Sequence, residues 1–216
     1  HMADIDRIEE LRKEYPDLAV VCYINSTAEL KCHADVCVTS SNAIRIVKAL
    51  PNKNIFFIPD ENLGRFVAKQ VPEKNFIFND GYCHVHASIR KDQVEAAKKA
   101  HPNAPFIVHP ECRPEILDLA DFIGSTSEII DYASSADAKE FIIGTENSIV
   151  EHLQFACPDK KFYPLAVPLT CMNMKVTSLM DVYHCLKGIG GEEIELPENV
   201  IDGAGKCIRK MVELGG

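Results

Sequence analysis

Two loops hold the cysteines best placed for chemistry: Gly81-Tyr82-Cys83-His84-Val85-His86 and Pro168-Leu169-Thr170-Cys171-Met172-Asn173-Met174. Each follows an apolar run, and a thiol presented once per run by an irregular loop suits a metal shared across an interface. Two thiolates alone make a poor site, because iron–sulfur clusters usually take three or four. His84 or His86 could complete a zinc site with the two cysteines. A Cys–His nucleophile pair, Cys83 with His86 or Cys112 with His109, lacks a recognisable third group to orient it. No C-x-x-C pair occurs among the nine cysteines, which excludes zinc ribbons and thioredoxin motifs. Cys22, Cys32, Cys37, Cys157 and Cys185 sit among apolar neighbours and read as small hydrophobes.

The other polar exceptions also follow apolar runs. Tyr23-Ile24-Asn25-Ser26-Thr27 has a counterpart in His109-Pro110-Glu111-Cys112, and Thr39-Ser40-Ser41-Asn42 in Gly124-Ser125-Thr126-Ser127. Each hydroxyl cluster opens a helical pattern, where free backbone N–H groups and the positive end of the dipole favour an anion. Ser and Thr are equally the preferred helix N-caps, so capping accounts for them as well.

The elements that must position these residues alternate in type. Strands are expected at Leu18–Tyr23, Asn54–Ile58, Asn75–Phe78, Pro105–His109, Glu140–Gly144 and Lys161–Leu165. Amphipathic helices are expected at Asn42–Leu50, Glu61–Gln70, Gln93–Ala100, Glu146–Cys157 and Glu198–Leu214, the last with Ile201, Ile208 and Met211 close to one face. Such alternation predicts an α/β fold of parallel sheets covered by helices on both sides, with ligands beyond the carboxyl ends of the strands.

The chain also repeats itself. Ala34-Asp35-Val36-Cys37-Val38-Thr39-Ser40-Ser41 recurs as Ala120-Asp121-Phe122-Ile123-Gly124-Ser125-Thr126-Ser127, a shift of 86 (120 − 34). The same shift carries Ile55–Glu61 onto Phe141–Asn147, and Cys83 falls within two residues of Cys171. Two homologous three-layer α/β repeats are expected, at 18–90 and 104–180, after a leading helix in 1–17 and before C-terminal helices in 181–216.

Composition bounds the partners. With 23 Lys plus Arg against 32 Asp plus Glu, the formal charge of −9 excludes a broad cationic face for nucleic acid. No apolar run approaches the roughly 20 residues that span a bilayer, and no apolar signal segment opens the chain, so a reducing cytoplasm is expected. His1-Met2 reads as a cloning remnant at the start of a piece of a longer chain.

These residues resemble the quinolinate synthase family. The likeness rests on Tyr23–Glu29, Ala34-Asp35 through Thr39–Ala43, Gly81–His86, His101–Ala104, His109–Cys112, Gly124–Thr126 and Cys171–Lys175, in family order over nearly the whole chain. It implies three homologous α/β domains around a pseudo-threefold axis, each giving one cysteine to a [4Fe-4S] cluster with one open iron. The implied transferase reaction condenses iminoaspartate with dihydroxyacetone phosphate to quinolinate in NAD biosynthesis, the iminoaspartate coming from L-aspartate oxidase or aspartate dehydrogenase. Carried over residue by residue, Cys83 and Cys171 are metal ligands. Tyr23, Asn25, Ser40, His109, Glu111, Ser125 and Thr126 bind substrate, and Tyr23, Glu111 and His109 are catalytic. The family's first domain, with a His-Asn-Tyr stretch and the first cluster cysteine, is not matched here. The implied expectations are an incomplete cluster, no activity for this stretch alone, and self-association through the faces left open. The rival reading is a non-catalytic module that holds a small anion at its two hydroxyl clusters.

Overall fold

The structure is a computed structural model that describes residues 3–165 and 169–215; His1, Met2 and Pro168 lie outside them. Asp4 caps the first helix, α1 (Ile5–Glu14), its carboxylate accepting the Asp6 N–H. There follow β1 (Ala19–Tyr23), α2 (Ala28–Cys32), β2 (Val36–Val38), α3 (Ala43–Ala49), β3 (Asn54–Ile58), α4 (Glu61–Gln70), β4 (Asn75–Phe78) and the short α5 (His84–Ala87). The order then returns as α6 (Lys91–Ala100), β5 (Phe106–Val108), α7 (Pro114–Leu117), β6 (Phe122–Ile123), α8 (Thr126–Ser135), β7 (Glu140–Gly144), α9 (Ser148–Ala156) and β8 (Lys161–Pro164). Two further helices, α10 (Leu179–Lys187) and α11 (Glu198–Gly215), close the chain.

Two four-stranded parallel sheets result, ordered β2-β1-β3-β4 and β6-β5-β7-β8. The shift of 86 maps their registers onto each other: Val21 pairs with Val36 and Ile107 with Phe122, Val20 with Phe56 and Phe106 with Ile142, Asn54 with Asn75 and Glu140 with Lys161. It also carries α1 onto α6, so a helix opens each copy. The Ala-Asp motif has a physical cause. Asp35 accepts the Val20 N–H at 2.7 Å and the Arg12 guanidinium at 3.0 Å. Asp121 accepts the Phe106 N–H at 2.8 Å and the Lys98 ammonium at 3.1 Å. In both copies one carboxylate ties the opening helix to the first strand.

Period-two alternation places the core on both faces of each sheet. Val21, Val38 and Phe57 pack with Ile46 and Val47 of α3 and Leu63 and Val67 of α4. Val20, Cys22 and Phe56 pack on the other face with Ile8 and Leu11 of α1 and Cys207 of α11. In the second copy Phe106, Val108 and Ile142 meet Val94 of α6 and Ile116 of α7, while Ile107, Phe141 and Ile143 meet Ile129 of α8 and Leu153 of α9.

The tail departs from the sequence expectation. α11 packs through Ala204, Cys207, Ile208 and Met211, with Cys207 Sγ 3.1 Å from Cys37 Sγ, whereas Ile201 is exposed. Helix α10 is well capped by Ser178 yet buries no residue, so Cys185 is exposed rather than packed. Amphipathic spacing shows that a helix has an apolar face and not what that face meets.

Candidate active site

Strand ends of both sheets open on a cleft of about 730 Å³, lined by Tyr23, Asn25, Asp60, Cys83, His86, His109, Glu111, Thr126, Thr145, Glu146 and Cys171, among others. Its position beyond the carboxyl ends of parallel strands is the one such folds use for ligands. Tyr23 ends β1, His109 follows β5 and Thr126 opens α8. Ser40 and Ser125 line a second recess of about 390 Å³ between the copies, and Ser40 also stands near enough to the Tyr23 hydroxyl to ease its ionisation. Ser125 itself is the N-cap of α8, accepting the Glu128 N–H at 3.4 Å while its own N–H goes to Glu128 Oε2 at 2.7 Å. Helix α3 has no side-chain cap: Asn42 instead accepts the Thr39 N–H, and the Thr39 hydroxyl bonds that of Ser41.

The shift of 86 relates the cleft residues in pairs. Tyr23 corresponds to His109, Asn25 to Glu111 and Ser40 to Thr126, each difference being 86. At two of these three places the copies differ in chemistry: Tyr23 and Asn25 of the first are neutral donors and acceptors, where the second has His109 and Glu111, while Ser40 and Thr126 are both hydroxyls.

Titration behaviour follows from burial and neighbours. Burial pushes the Tyr23 phenol up, and the charge on Glu111 adds to this, so it keeps its proton. Burial works against a charge on His86, but hydrogen bonds to Cys83 and Glu111 outweigh it and raise the imidazole to about 9. His86 Nδ1 lies 3.2 Å from Cys83 Sγ and 3.0 Å from Glu111 Oε2, and Nε2 lies 3.0 Å from the Thr145 hydroxyl. Burial likewise opposes ionisation of Glu111, and the His86 hydrogen bond with the neighbouring imidazoles holds it below the usual carboxylate range. His109 is pushed down to about 4 by burial and by the His86 cation stacked at 4.7 Å. Although His109 Nδ1 is 3.4 Å from Glu111 Oε2, it accepts the backbone N–H of Glu111 at 3.3 Å. We therefore read His109 as neutral, with its proton on Nε2, and the ion pair as belonging to His86 and Glu111.

Cys83, His86 and Glu111 bring a thiol, an imidazole and a carboxylate within 4.8 Å of one another, a donor set able to hold a metal. The backbone N–H of Cys83 is held by Asp60 Oδ2 at 2.7 Å and that of Cys171 by Glu146 Oε1 at 3.2 Å. Cys112 is fully buried, its thiol directed to the Gly144 carbonyl and pushed up by burial, which makes it packing rather than a nucleophile. Sequence reasoning did not single out Asp60, Thr145 or Glu146. The signal for the two acids was the repeat itself, which sets Asp60 on Glu146 (146 − 60 = 86).

The chain matches the family model described as "Quinolinate synthetase A protein" over residues 1–213. It is 50% identical over 214 residues to a quinolinate synthase of Caldicellulosiruptor bescii, covering 99% of this chain and 70% of that protein. With a quinolinate synthase of Caldicellulosiruptor saccharolyticus it is 52% identical over 207 residues, covering 96% and 68%. With quinolinate synthase 2 of Methanosarcina acetivorans the identity is 44%, covering 100% and 70%.

Proposed function

This chain belongs to the quinolinate synthase family of enzymes, and on that premise we propose that its cleft condenses iminoaspartate with dihydroxyacetone phosphate to quinolinate, with loss of two waters and phosphate. The observation that carries the reading is the meeting of Cys83 and Cys171 with the Glu111, His86 and His109 set in one cleft. A [4Fe-4S] cluster held by three thiolates would supply Lewis-acid chemistry through its open iron. Cys83 and Cys171 suit two of those positions: both thiols are free, both line the cleft, and both backbone amides are anchored. Among the described residues no other cysteine lines the cleft, and the third ligand belongs to a further segment, for which the longer relatives have room.

The chain's own residues bind, orient and move protons. Thr126 and the N-terminal turn of α8 present N–H groups and a positive dipole end to a carboxylate or phosphate. Tyr23 remains protonated and donates, with Ser40 beside its hydroxyl. Asn25 offers a neutral donor and acceptor beside it. Ionised Glu111 is placed to take a proton, and neutral His109 holds an Nε2 hydrogen with which to polarise a substrate oxygen by a hydrogen bond, which suits the proton removal that dehydration and tautomerisation need. His86 holds Glu111 in place across the two copies.

Large apolar side chains stand exposed between Met172 and Leu196, including Leu179 and Leu186 of α10. We expect this stretch expressed alone to self-associate through that strip and to lack turnover. No helix among the described residues is long and apolar enough to cross a membrane.

The deciding experiment reconstitutes the complete protein anaerobically with ferrous iron and sulfide and assays quinolinate. Visible cluster absorbance and product are expected, both lost in Cys83→Ala and in Cys171→Ala and both retained in Cys112→Ala. Undiminished iron and turnover in either of the first two variants would sink the assignment. Phosphate binding with no iron uptake would point to the anion-holding module instead.

A further inference from the structure

Asp60 and Glu146 are buried acids in the cleft wall that neither the ion pair nor the proton transfers above employ. Each sits two residues beyond the end of the third strand of its copy, and each accepts two backbone N–H groups. Asp60 Oδ1 takes Leu63 N–H at 2.8 Å, in the first turn of α4, and Oδ2 takes Cys83 N–H at 2.7 Å. Glu146 Oε2 takes Ser148 N–H at 2.8 Å, at the start of α9, and Oε1 takes Cys171 N–H at 3.2 Å. A backbone bond backs each one: Glu61 N–H to the Gly81 carbonyl at 2.7 Å, and Asn147 N–H to the Leu169 carbonyl at 2.8 Å.

We infer that Asp60 and Glu146 are a duplicated pair of positioning residues, each fixing one cluster cysteine by tying its backbone amide to the rigid start of a helix. The proposal rests on the reading of Cys83 and Cys171 as metal ligands. Length supports it. From the end of the fourth strand to the cysteine is five residues in the first copy (83 − 78) and seven in the second (171 − 164). The copy with the longer loop carries the acid with one more methylene. Only a carboxylate can serve, because its two oxygens accept both amides, whereas Asn or Gln would turn an NH₂ donor toward an N–H donor. A fixed ligand amide holds its thiol in place without touching the metal, as outer-shell partners of metal ligands do.

The test uses the complete protein and two readouts. In the metal-free form, alkylation of Cys83 and Cys171 by iodoacetamide is followed peptide by peptide; in the reconstituted form, iron release to a chelator is timed. Asp60→Ser keeps a helix cap but cannot reach Cys83, and Glu146→Gln loses one of its two acceptors. Asp60→Ser should speed alkylation at Cys83 alone and Glu146→Gln at Cys171 alone, each by about fivefold, the factor that one ordinary hydrogen bond is worth. Both should release iron faster. Asp60→Glu keeps the charge with the wrong reach, so faster alkylation of Cys83 there too shows placement rather than charge at work, and a wild-type rate overturns the proposal. Equal acceleration at both cysteines, or none at either, also overturns it. If the wild-type protein retains no iron, the cluster reading falls while the alkylation rates still decide the role of the two acids.

Discussion

The first and second copies share strand order, registers and the Asp35 and Asp121 anchors, yet they arm the same positions differently. At the end of the first strand one copy has Tyr23 and the other His109; two residues on, one has Asn25 and the other Glu111. Cys83 and His86 come from the first copy and meet Glu111 from the second. A duplicated scaffold thus delivers equivalent positions to one cleft, and the ion pair at its centre takes its cation from the first copy and its carboxylate from the second. Neither copy could assemble the ion pair alone, because His86 lies in α5, after the strands of the first copy, and Glu111 in the loop that follows β5 of the second.

The sharpest way to break this division of labour is to neutralise one member of an equivalent pair at a time in the complete enzyme. Glu111→Gln removes the proton acceptor and leaves the His86 cation without its counter-charge, so turnover should fall by about 10²–10⁴-fold, the range for a lost general base. Asn25→Ala, at the corresponding place, removes hydrogen bonds and no charge and should cost about tenfold. Comparable losses in steady-state rates would mean that the copies share the chemistry rather than divide it.

Packing supplies the next largest contrast. Ile58 and Gly144 occupy equivalent positions (144 − 58 = 86) at the ends of β3 and β7. Ile58 fills the face shared with α1, whereas a Cβ on Gly144 would come within 2.7 Å of the Phe106 ring and 2.8 Å of Val108. Alanine should therefore destabilise both copies for opposite reasons. Ile58→Ala leaves a cavity costing about 2–5 kcal/mol, and Gly144→Ala overpacks at about 1–3 kcal/mol. Chemical denaturation measures both, and a neutral Gly144→Ala would show that Phe106 has room to move.

The two anchors should behave alike. Asp35→Ala and Asp121→Ala each strip the acceptor from one strand N–H, and each should lower stability by about 1 kcal/mol. A difference between them larger than about 1 kcal/mol, outside the usual scatter of a hydrogen-bond deletion, would show that the copies are not equivalent at their centre.

Those anchors also explain how much the sequence disclosed. Ala34-Asp35 and Ala120-Asp121 were legible as a repeat because the carboxylate has a fixed backbone partner, which ties the motif to one place in the fold. Strands β3, β4 and β7 begin and end where their apolar runs do. The spacing predicts a helix from Glu146, whereas α9 begins at Ser148; Glu146 lies before it and accepts the Ser148 amide and that of Cys171, a contact 25 residues away that local spacing does not show. The link of His86 to Glu111 and Thr145 joins α5 to loops that follow β5 and β7 of the other copy, and local spacing is silent about it. The exposure of α10 was equally hidden, since its pattern equals that of a packed helix.

The smallest expected effect concerns the outer faces of the copies. Phe155, near the end of α9, is 90% exposed, and its counterpart in α4 is Lys69 (155 − 86). Giving the second copy the residue of the first, Phe155→Lys, removes no core contact. Lys is a slightly better helix former than Phe, and a cation in the last turn of a helix meets the negative end of its dipole. The change should leave stability the same or raise it by up to about 0.5 kcal/mol, measured as a denaturation midpoint at low protein concentration. A loss of more than about 1 kcal/mol, the average for point substitutions that disturb a fold, would mean that the ring is covered in solution, by a second copy or by another part of the chain. Repeating the measurement at several protein concentrations separates the two, since only an intermolecular cover makes the loss grow with concentration.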